Sequence, residues 1–332
     1  MSISVLICTY NGKEKLLPTL EHLLKQKGLD NIYWEIVLID NASTNGTFEW
    51  LNTYLKQINT SIKIHLVKEQ QPGKSAAISL GIKVAQHDYL LICDDDNWLS
   101  DDYLATGFKI LQGNPKIGVV GGNGKPINGL QIPTNLKPHL HNYAAAPQFP
   151  HSADITNGIG SVYGAGMFVR KEIYLKAFDL NWPLYLSSRR ENNNIISGED
   201  TEICYVAKCM GYRIFYEESL IFEHDIPLNK LTPAYLLRLF NLFGYSAAIL
   251  YPYHKTSSFK DKFLIKFALE TYRLVRYNIL QSYFSHDLYA KKRLEYRKGL
   301  IKGLFKNHSK IKTLNSFLKK FDTSTSHHIQ QR

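Results

Sequence analysis

The sequence is poor in sulfur. Its four cysteines, Cys8, Cys93, Cys204 and Cys209, are scattered over 332 residues and form no Cys-x-x-Cys pair. That spacing excludes a disulfide framework and fits a reducing cytoplasm. No stretch of eighteen apolar residues lacks a charge, so no transmembrane helix is expected. The opening Met1-Ser2-Ile3-Ser4-Val5-Leu6-Ile7 has no basic segment and no small-residue cleavage site, which argues against a secretory signal. No GxGxxG follows the first apolar run, which weakens a dinucleotide dehydrogenase, and no GxSxG is present. Gly73-Lys74-Ser75 invites a Walker A motif, but Lys68 stands where that motif needs a glycine. Histidines and cysteines lack zinc-finger spacing.

What is present is a folded composition, with 44% hydrophobic and 21% charged residues. The length suits one large α/β domain plus an extension. The net charge of +11 is unevenly placed. Residues 229–332 hold 20 Lys and Arg against 5 Asp and Glu, a net of +15, and residues 1–228 hold 20 against 24, a net of −4. A basic, aromatic-rich second part suggests an anionic partner, membrane phospholipid or nucleic acid, unless it is only a solvated helical face. The acidic front is a poor platform for nucleic acid.

Along residues 1–96, strand-length apolar runs alternate with helical patterns. The runs are 4–8, 35–40, 62–67 and 89–93. Helices are expected from Gly12 to Lys27, from Ala42 to about Asn59, and onward from Gly73-Lys74-Ser75. This alternation predicts a mainly parallel sheet covered on both faces, with ligands outside the carboxyl ends of the strands. Asp40 and Asp94-Asp95-Asp96 stand at such ends. Residues 113–160 are rich in Gly, Pro, Asn and His and predict loops with short strands. Tyr163 to Val169 predicts a strand entered through glycines, and Asn181–Ser197 a mobile loop. Gly198-Glu199-Asp200 then opens a helix reaching about Met210.

Three adjacent carboxylates repel one another unless a cation or water screens them. After a buried strand they form a hard oxygen site suited to Mg²⁺ or Mn²⁺, metals that commonly bridge a diphosphate. The alternative is a solvated acidic loop. An EF-hand fails because Trp98 and Leu99 occupy positions that need oxygen ligands and a glycine. Gly73 and Lys74 at a helix start can meet a phosphate. Glu199-Asp200 is a second acidic pair, which at a helix N-terminus can be a stabilising charge and nothing more. His224 follows the apolar Leu220-Ile221-Phe222, and a lone histidine is more often structural than a ligand.

In order, these pieces are Thr9-Tyr10-Asn11, Asp40-Asn41-Ala42-Ser43, Gly73-Lys74-Ser75-Ala76-Ala77, Asp94-Asp95-Asp96, Gly164-Ala165-Gly166-Met167, Gly198-Glu199-Asp200 and His224. Over residues 2–228 the chain resembles glycosyltransferase family 2 enzymes of GT-A fold. The run from Ser197 to Glu202, followed by His224-Asp225-Ile226-Pro227, is similar to bacterial members that build surface polysaccharides.

The resemblance implies an inverting, metal-dependent transferase. It places Thr9, Tyr10, Asn11 and Asp40 at the nucleotide, with Asp40 accepting from uracil and so suggesting a UDP-sugar. It places Lys74 near the nucleotide and Gly164 and Gly166 at the turn beneath the sugar pocket. Asp94 and Asp96 match the DxD pair around Asp95, with Asp96 a direct metal ligand, Asp94 near the ribose or metal, and His224 completing that site in some members. Asp200 matches the catalytic base, with Glu199 beside it. Mn²⁺ or Mg²⁺ is the implied cofactor, and a saccharide or lipid-linked molecule the acceptor. Ser79 departs from the asparagine that many members carry there.

The expected organisation is a catalytic domain over 1–228, a basic amphipathic helical extension over 229–322 and a disordered tail over 323–332. The extension predicts a peripheral site at the inner face of the cytoplasmic membrane. A homodimer formed through its aromatic stripe is the competing idea. Two other functions stay open on the residues alone. A nucleotidyltransferase also uses an α/β sheet with acidic metal sites, although the first loop here has one glycine. A nucleic-acid binder would use the basic tail, although that leaves both acidic clusters unexplained, and no nucleic-acid partner is expected.

Overall fold

The computed structural model describes residues 2–186, 190–191, 194–195, 197–254, 268–276 and 288–329, with backbone alone at 190–191, 194–195 and 323–329. The chain divides into two compact units. One comprises Met1–Leu180, Ser188–Arg190 and Glu199–Leu228, and the other Asn181–Ser187, Glu191–Gly198 and Asn229–Arg332.

The first unit is built on a nine-stranded sheet. Strands β1 (Ser2–Thr9), β2 (Tyr33–Asn41), β3 (Lys63–Glu69) and β4 (Tyr89–Asp94) lie in the order β3-β2-β1-β4, all parallel. Helices α1 (Lys13–Leu24), α2 (Thr47–Leu55) and α3 (Lys74–Val84) make the crossovers. Continuous apolar runs form these strands because both faces are covered, and Ile3, Val5, Ile7, Ile36, Leu38 and Leu91 are all buried. Each such side chain contributes about 1.5–3 kcal/mol. Helix α2 starts later than its sequence suggests, because Ala42 (φ 56°) and Gly46 (φ 75°) are left-handed and keep 42–46 in a loop.

The second half of the sheet mixes directions. After β5 (Asn97–Leu99) and α4 (Tyr103–Gly113) come β6 (Ile117–Pro126), β7 (Ala153–Asp154), β8 (Met167–Arg170), α5 (Lys171–Asp179), α6 (Glu199–Cys209) and β11 (Arg213–His224). The intervening β9 (Arg190–Glu191) and β10 (Asn194–Ile195) form a separate two-stranded pair, residues 181–186 and 197 of the expected mobile loop carry no regular strand or helix, and 187–189, 192–193 and 196 lie outside the described residues. Strand β8 runs antiparallel between β4 and β6. At ten residues, β6 is longer than the short strands expected among the loops there. Its glycines serve close packing: a Cβ at Gly121 would collide with Val162, and one at Gly122 with the Leu220 carbonyl.

Near the amino ends of the strands, Glu35 is only 1% exposed yet fully partnered. It accepts from Ser4 Oγ at 2.7 Å and from the Gln86 amide at 2.6 Å, with His65 Nε2 at 3.1 Å. Burial raises its pKa, but these bonds outweigh burial and hold it below the ordinary value.

The second unit is helical. Thr232 caps α7 (Pro233–Leu250), accepting from the Tyr235 amide at 3.2 Å, and Pro233 occupies the first turn. Residues 268–276 form α8, followed by α9 (Leu288–Lys306) and α10 (His308–Ile329). Helices α7 and α9 approach closely because Gly244, Gly299 and Gly303 face them: a Cβ at Gly299 would strike the Asn241 carbonyl. Ala248, Leu300, Leu304 and Ile311 form their shared core. Helix α10 runs through most of 323–332, the segment expected to be disordered. Adding one residue to a formed helix gains a hydrogen bond without a new nucleation cost, which explains the continuation. No described helix is long and apolar enough to cross a membrane.

Candidate active site

The strand order reverses between β1 and β4, which opens a crevice at their carboxyl ends. Register brings the acids to it: Thr9 lies opposite Asp40 on β2, and Cys8 opposite Asp94 on β4. Strand β8 pairs Met167 with Ile92, so the Gly164–Gly166 turn enters beside the end of β4. Gly166 is left-handed (φ 68°), and its carbonyl accepts from Tyr103 Oη at 2.7 Å.

The three consecutive aspartates have three environments. Asp94 pairs with Lys74 Nζ at the start of α3, and its amide donates to Asn97 Oδ1 at 3.1 Å. Asp95 points inward and accepts from Thr9 Oγ1 at 2.7 Å. Burial, helped by the neighbouring Asp96 charge, pushes its carboxyl up to about 6 against the Thr9 bond. A Cβ at Gly12 would collide with both partners of that bond, so the first turn of α1 closes over it. Asp96, 8% exposed, has Lys15 Nζ at 3.6 Å on one oxygen and His224 Nε2 at 3.6 Å on the other.

His224 sits at the end of β11, with Nδ1 2.7 Å from the Tyr143 carbonyl. A proton on Nδ1 makes that bond and turns Nε2 toward Asp96. Burial lowers the pKa of this imidazole, but Asp96 and the Tyr143 carbonyl outweigh it and raise it. Two acceptor atoms facing each other at this distance call for a proton or a cation between them. Among the described residues, no group of three His, Cys, Asp or Glu is assembled to hold a metal. Asp96 and His224 would supply two ligands, and Mg²⁺-like ions commonly take the rest from water and phosphate.

Lys74 links the two acidic clusters. Burial disfavours its charged form, but Asp94 and Glu199 together outweigh that and hold its pKa well above the ordinary lysine value. Glu199 and Asp200 open α6, where the helix dipole favours negative charge. Asp200 accepts from the Gly164 amide at 3.0 Å on one oxygen and from the Thr201 amide at 2.7 Å on the other. Direct bonds and ion pairs join Thr9 to Asp95, Asp94 to Lys74, Asp96 to His224 and Asp200 to Gly164, and the attraction between the Lys74 and Glu199 charges relates the two acidic clusters.

The remaining expected residues are placed differently. Asp40 is fully buried, and neither of its carboxylate oxygens has a hydrogen-bond partner among the described residues. It contrasts with Glu35 on the same strand. Asn11 (φ 53°) faces the neighbouring loop: its Oδ1 accepts from the Thr44 amide at 2.9 Å, and its own amide donates to Ser43 Oγ at 2.9 Å. Tyr10 is half-buried beside Thr9.

Lys15, Asn97, Tyr103 and Tyr143 escaped the sequence reading. Lys15 had a signal: a cation in the first turn of a helix opposes the dipole unless an anion compensates it. Tyr103 and Tyr143 carry none, since each acts through a contact far along the chain, and Asn97 acts on the Asp94 amide three residues before it.

The chain is 32% identical to the glycosyltransferase GlyG of Streptococcus pneumoniae over 119 residues, covering 36% of this chain and 38% of that one. It is 34% identical to the poly-beta-1,6-N-acetyl-D-glucosamine synthase of Staphylococcus epidermidis over 133 residues, covering 39% and 30%. The chain therefore spans well under half the length of these relatives. A mannosyltransferase from Pyrobaculum calidifontis, solved with GDP-Man and Mn²⁺, superposes with a TM-score of 0.56 at 17% identity, covering 97% of this chain and 86% of that one. Residues 1–349 of S. aureus TarS, solved with UDP-GlcNAc, give 0.51 at 16% identity, covering 98% and 92%. At these identities the two structures speak to fold alone, which is GT-A. The glycosyl transferase family 2 model matches residues 4–178, more than half of the sequence, and the chain belongs to that family.

Proposed function

We propose that this glycosyltransferase moves a sugar from a nucleotide-sugar donor, a UDP-sugar, to a hydroxyl of a saccharide or lipid-linked acceptor in cell-surface polysaccharide synthesis, with inversion at the anomeric carbon. The observation that carries this is the convergence of the β4 aspartates and the α6 carboxylates through Lys74 and Gly164. The names of the relatives support the polymer class. Membership of the family sets aside the nucleotidyltransferase alternative.

Each residue then has a chemical task. The orphaned Asp40 carboxylate would accept from the N–H of a uracil base, the kind of partner a buried acceptor requires. Asp96 and His224 would hold Mn²⁺ or Mg²⁺, whose charge would neutralise the leaving diphosphate. Lys74, fixed by Asp94, would add a cation beside the same phosphates. Asp200, held by two backbone donors, would take the proton of the attacking hydroxyl. A single base opposite the leaving group gives inversion, so an α-linked donor yields a β-linked product. Incubating the full chain with UDP-sugars, Mn²⁺ and a saccharide acceptor should release UDP and form a β-linkage, read by the proton coupling of the new anomeric centre. An α-linkage would remove the inverting mechanism.

We also propose that the extension meets an anionic lipid surface at the cytoplasmic face of the membrane. Residues 288–322 carry eleven Lys and Arg against two acids. Phe305, at 76% exposure, projects beside exposed Lys302 and Lys306. A basic helix with an exposed aromatic fits such a surface. The full chain should float with phosphatidylglycerol vesicles at low salt and detach as salt rises. Staying at the bottom of the gradient at low salt would remove the membrane site, and concentration-dependent self-association would favour the homodimer.

A further inference from the structure

We infer that Lys15, in the first turn of α1, competes with a divalent cation for Asp96, so that the site retains metal only when a diphosphate enters with it. The inference rests on Asp96 and His224 being the metal ligands. Lys15 Nζ lies 3.6 Å from Asp96 Oδ2, and His224 Nε2 lies 3.6 Å from Oδ1. One oxygen of the carboxylate thus faces the imidazole and the other an ammonium group. A cation held between Asp96 and His224 would share that carboxylate with a positive charge already in place.

The first turn of a helix disfavours cations, because the dipole is positive there, and Lys15 stands in that turn. Asp96 supplies the compensating anion. The side chain of Asp96 is 10% exposed and that of Lys15 40%, so the anion is withdrawn from water while the lysine keeps a wet side and can give way. The second lysine of the site acts in the same sense, since Lys74 pairs with Asp94. Asp95 is turned inward onto Thr9. Two of the three aspartate charges are thus met by ammonium groups, and little negative charge is left to draw in a divalent cation. Two protein ligands are also few for such an ion, which takes its other positions from water and phosphate. A diphosphate changes both conditions. It brings oxygen ligands, and its negative charge takes up the Lys15 ammonium.

Calorimetric titration of the full chain with Mn²⁺, alone and with bound UDP, tests this. UDP should tighten Mn²⁺ binding to wild type, and Mn²⁺ should tighten UDP binding by the same factor. Lys15→Met keeps most of the aliphatic stem and removes the charge. It should tighten Mn²⁺ binding without UDP about 10-fold and shrink the coupling between UDP and Mn²⁺ by a similar factor. Lys15→Arg keeps the charge and should bind Mn²⁺ as weakly as wild type. Equal or weaker Mn²⁺ binding in Lys15→Met would overturn the inference, a weaker one marking a lysine that orients Asp96 for the metal. Tight Mn²⁺ binding in Lys15→Arg would overturn it too, because the charge would not be the cause. Asp96→Ala is titrated alongside. If it abolishes the Mn²⁺ response while Lys15→Met leaves it unchanged, only the role of Lys15 falls; if the response survives in Asp96→Ala, the metal assignment falls and takes this inference with it.

Discussion

Asp200→Asn should reduce sugar transfer by about 10²–10⁴-fold, the usual contribution of a positioned general base. Donor binding should stay close to wild type, because Asp200 touches neither the β4 aspartates nor Asp40. The geometry adds a detail that controls for misfolding. Both carboxylate oxygens accept from backbone amides, those of Gly164 and Thr201. Asparagine keeps one acceptor and turns its NH₂ toward the other N–H, so one amide loses its partner. That should cost about 1–3 kcal/mol of stability, visible as a modest fall in melting temperature with the fold intact. Calorimetric titration with UDP and Mn²⁺, beside single-turnover transfer, separates the two effects. Normal turnover in this variant would refute the base assignment.

Asp96→Ala should abolish the metal-dependent part of donor binding. Asp96 is the one carboxylate of the three that faces both His224 and Lys15, while Asp94 is engaged by Lys74 and Asp95 by Thr9. Its removal leaves His224 as a single nitrogen ligand, too few to retain a hard cation against water. In calorimetry, the gain in UDP-sugar affinity on adding Mn²⁺ should vanish. Residual metal-free binding through Asp40 should persist. The loss to transfer should be several kcal/mol of leaving-group stabilisation, on the order of thousandfold in rate. An unchanged Mn²⁺ response would move the metal away from Asp96.

Much of the first unit was legible because it is locally encoded. The runs at 4–8, 35–40 and 89–93 are buried on both faces, and a strand covered on both sides leaves an unbroken apolar signature. Their polar termini mark the carboxyl edge, so Asp40, Asp94 and Asp96 could be named from one dimension. Strand β6 could not: Gly118, Gly121, Gly122 and Gly124 look like loop residues until Tyr212, Val162, Leu220 and Ala144 are seen pressing on them. Strand β11 showed in the sequence only as the apolar run Leu220-Ile221-Phe222, because the buried Ile214 and Tyr216 alternate with exposed or half-buried residues and the charged Glu217-Glu218 interrupts them.

The sequence by itself determined the alternating α/β architecture, the placing of acids after buried strands and the sharp charge contrast between the two parts of the chain. These follow from burial period and residue type, which act over a few neighbouring positions. Only the tertiary structure decided which aspartate does what. Asp94, Asp95 and Asp96 are chemically identical, and Lys74, Thr9 and His224 distinguish them from 20, 86 and 128 residues away in sequence. Folding also left the Asp40 carboxylate without a hydrogen-bond partner among the described residues and put the Ser246 hydroxyl on the Ser197 carbonyl. Contacts closed over such separations depend on how helices and strands pack, a property that no short window of residues carries.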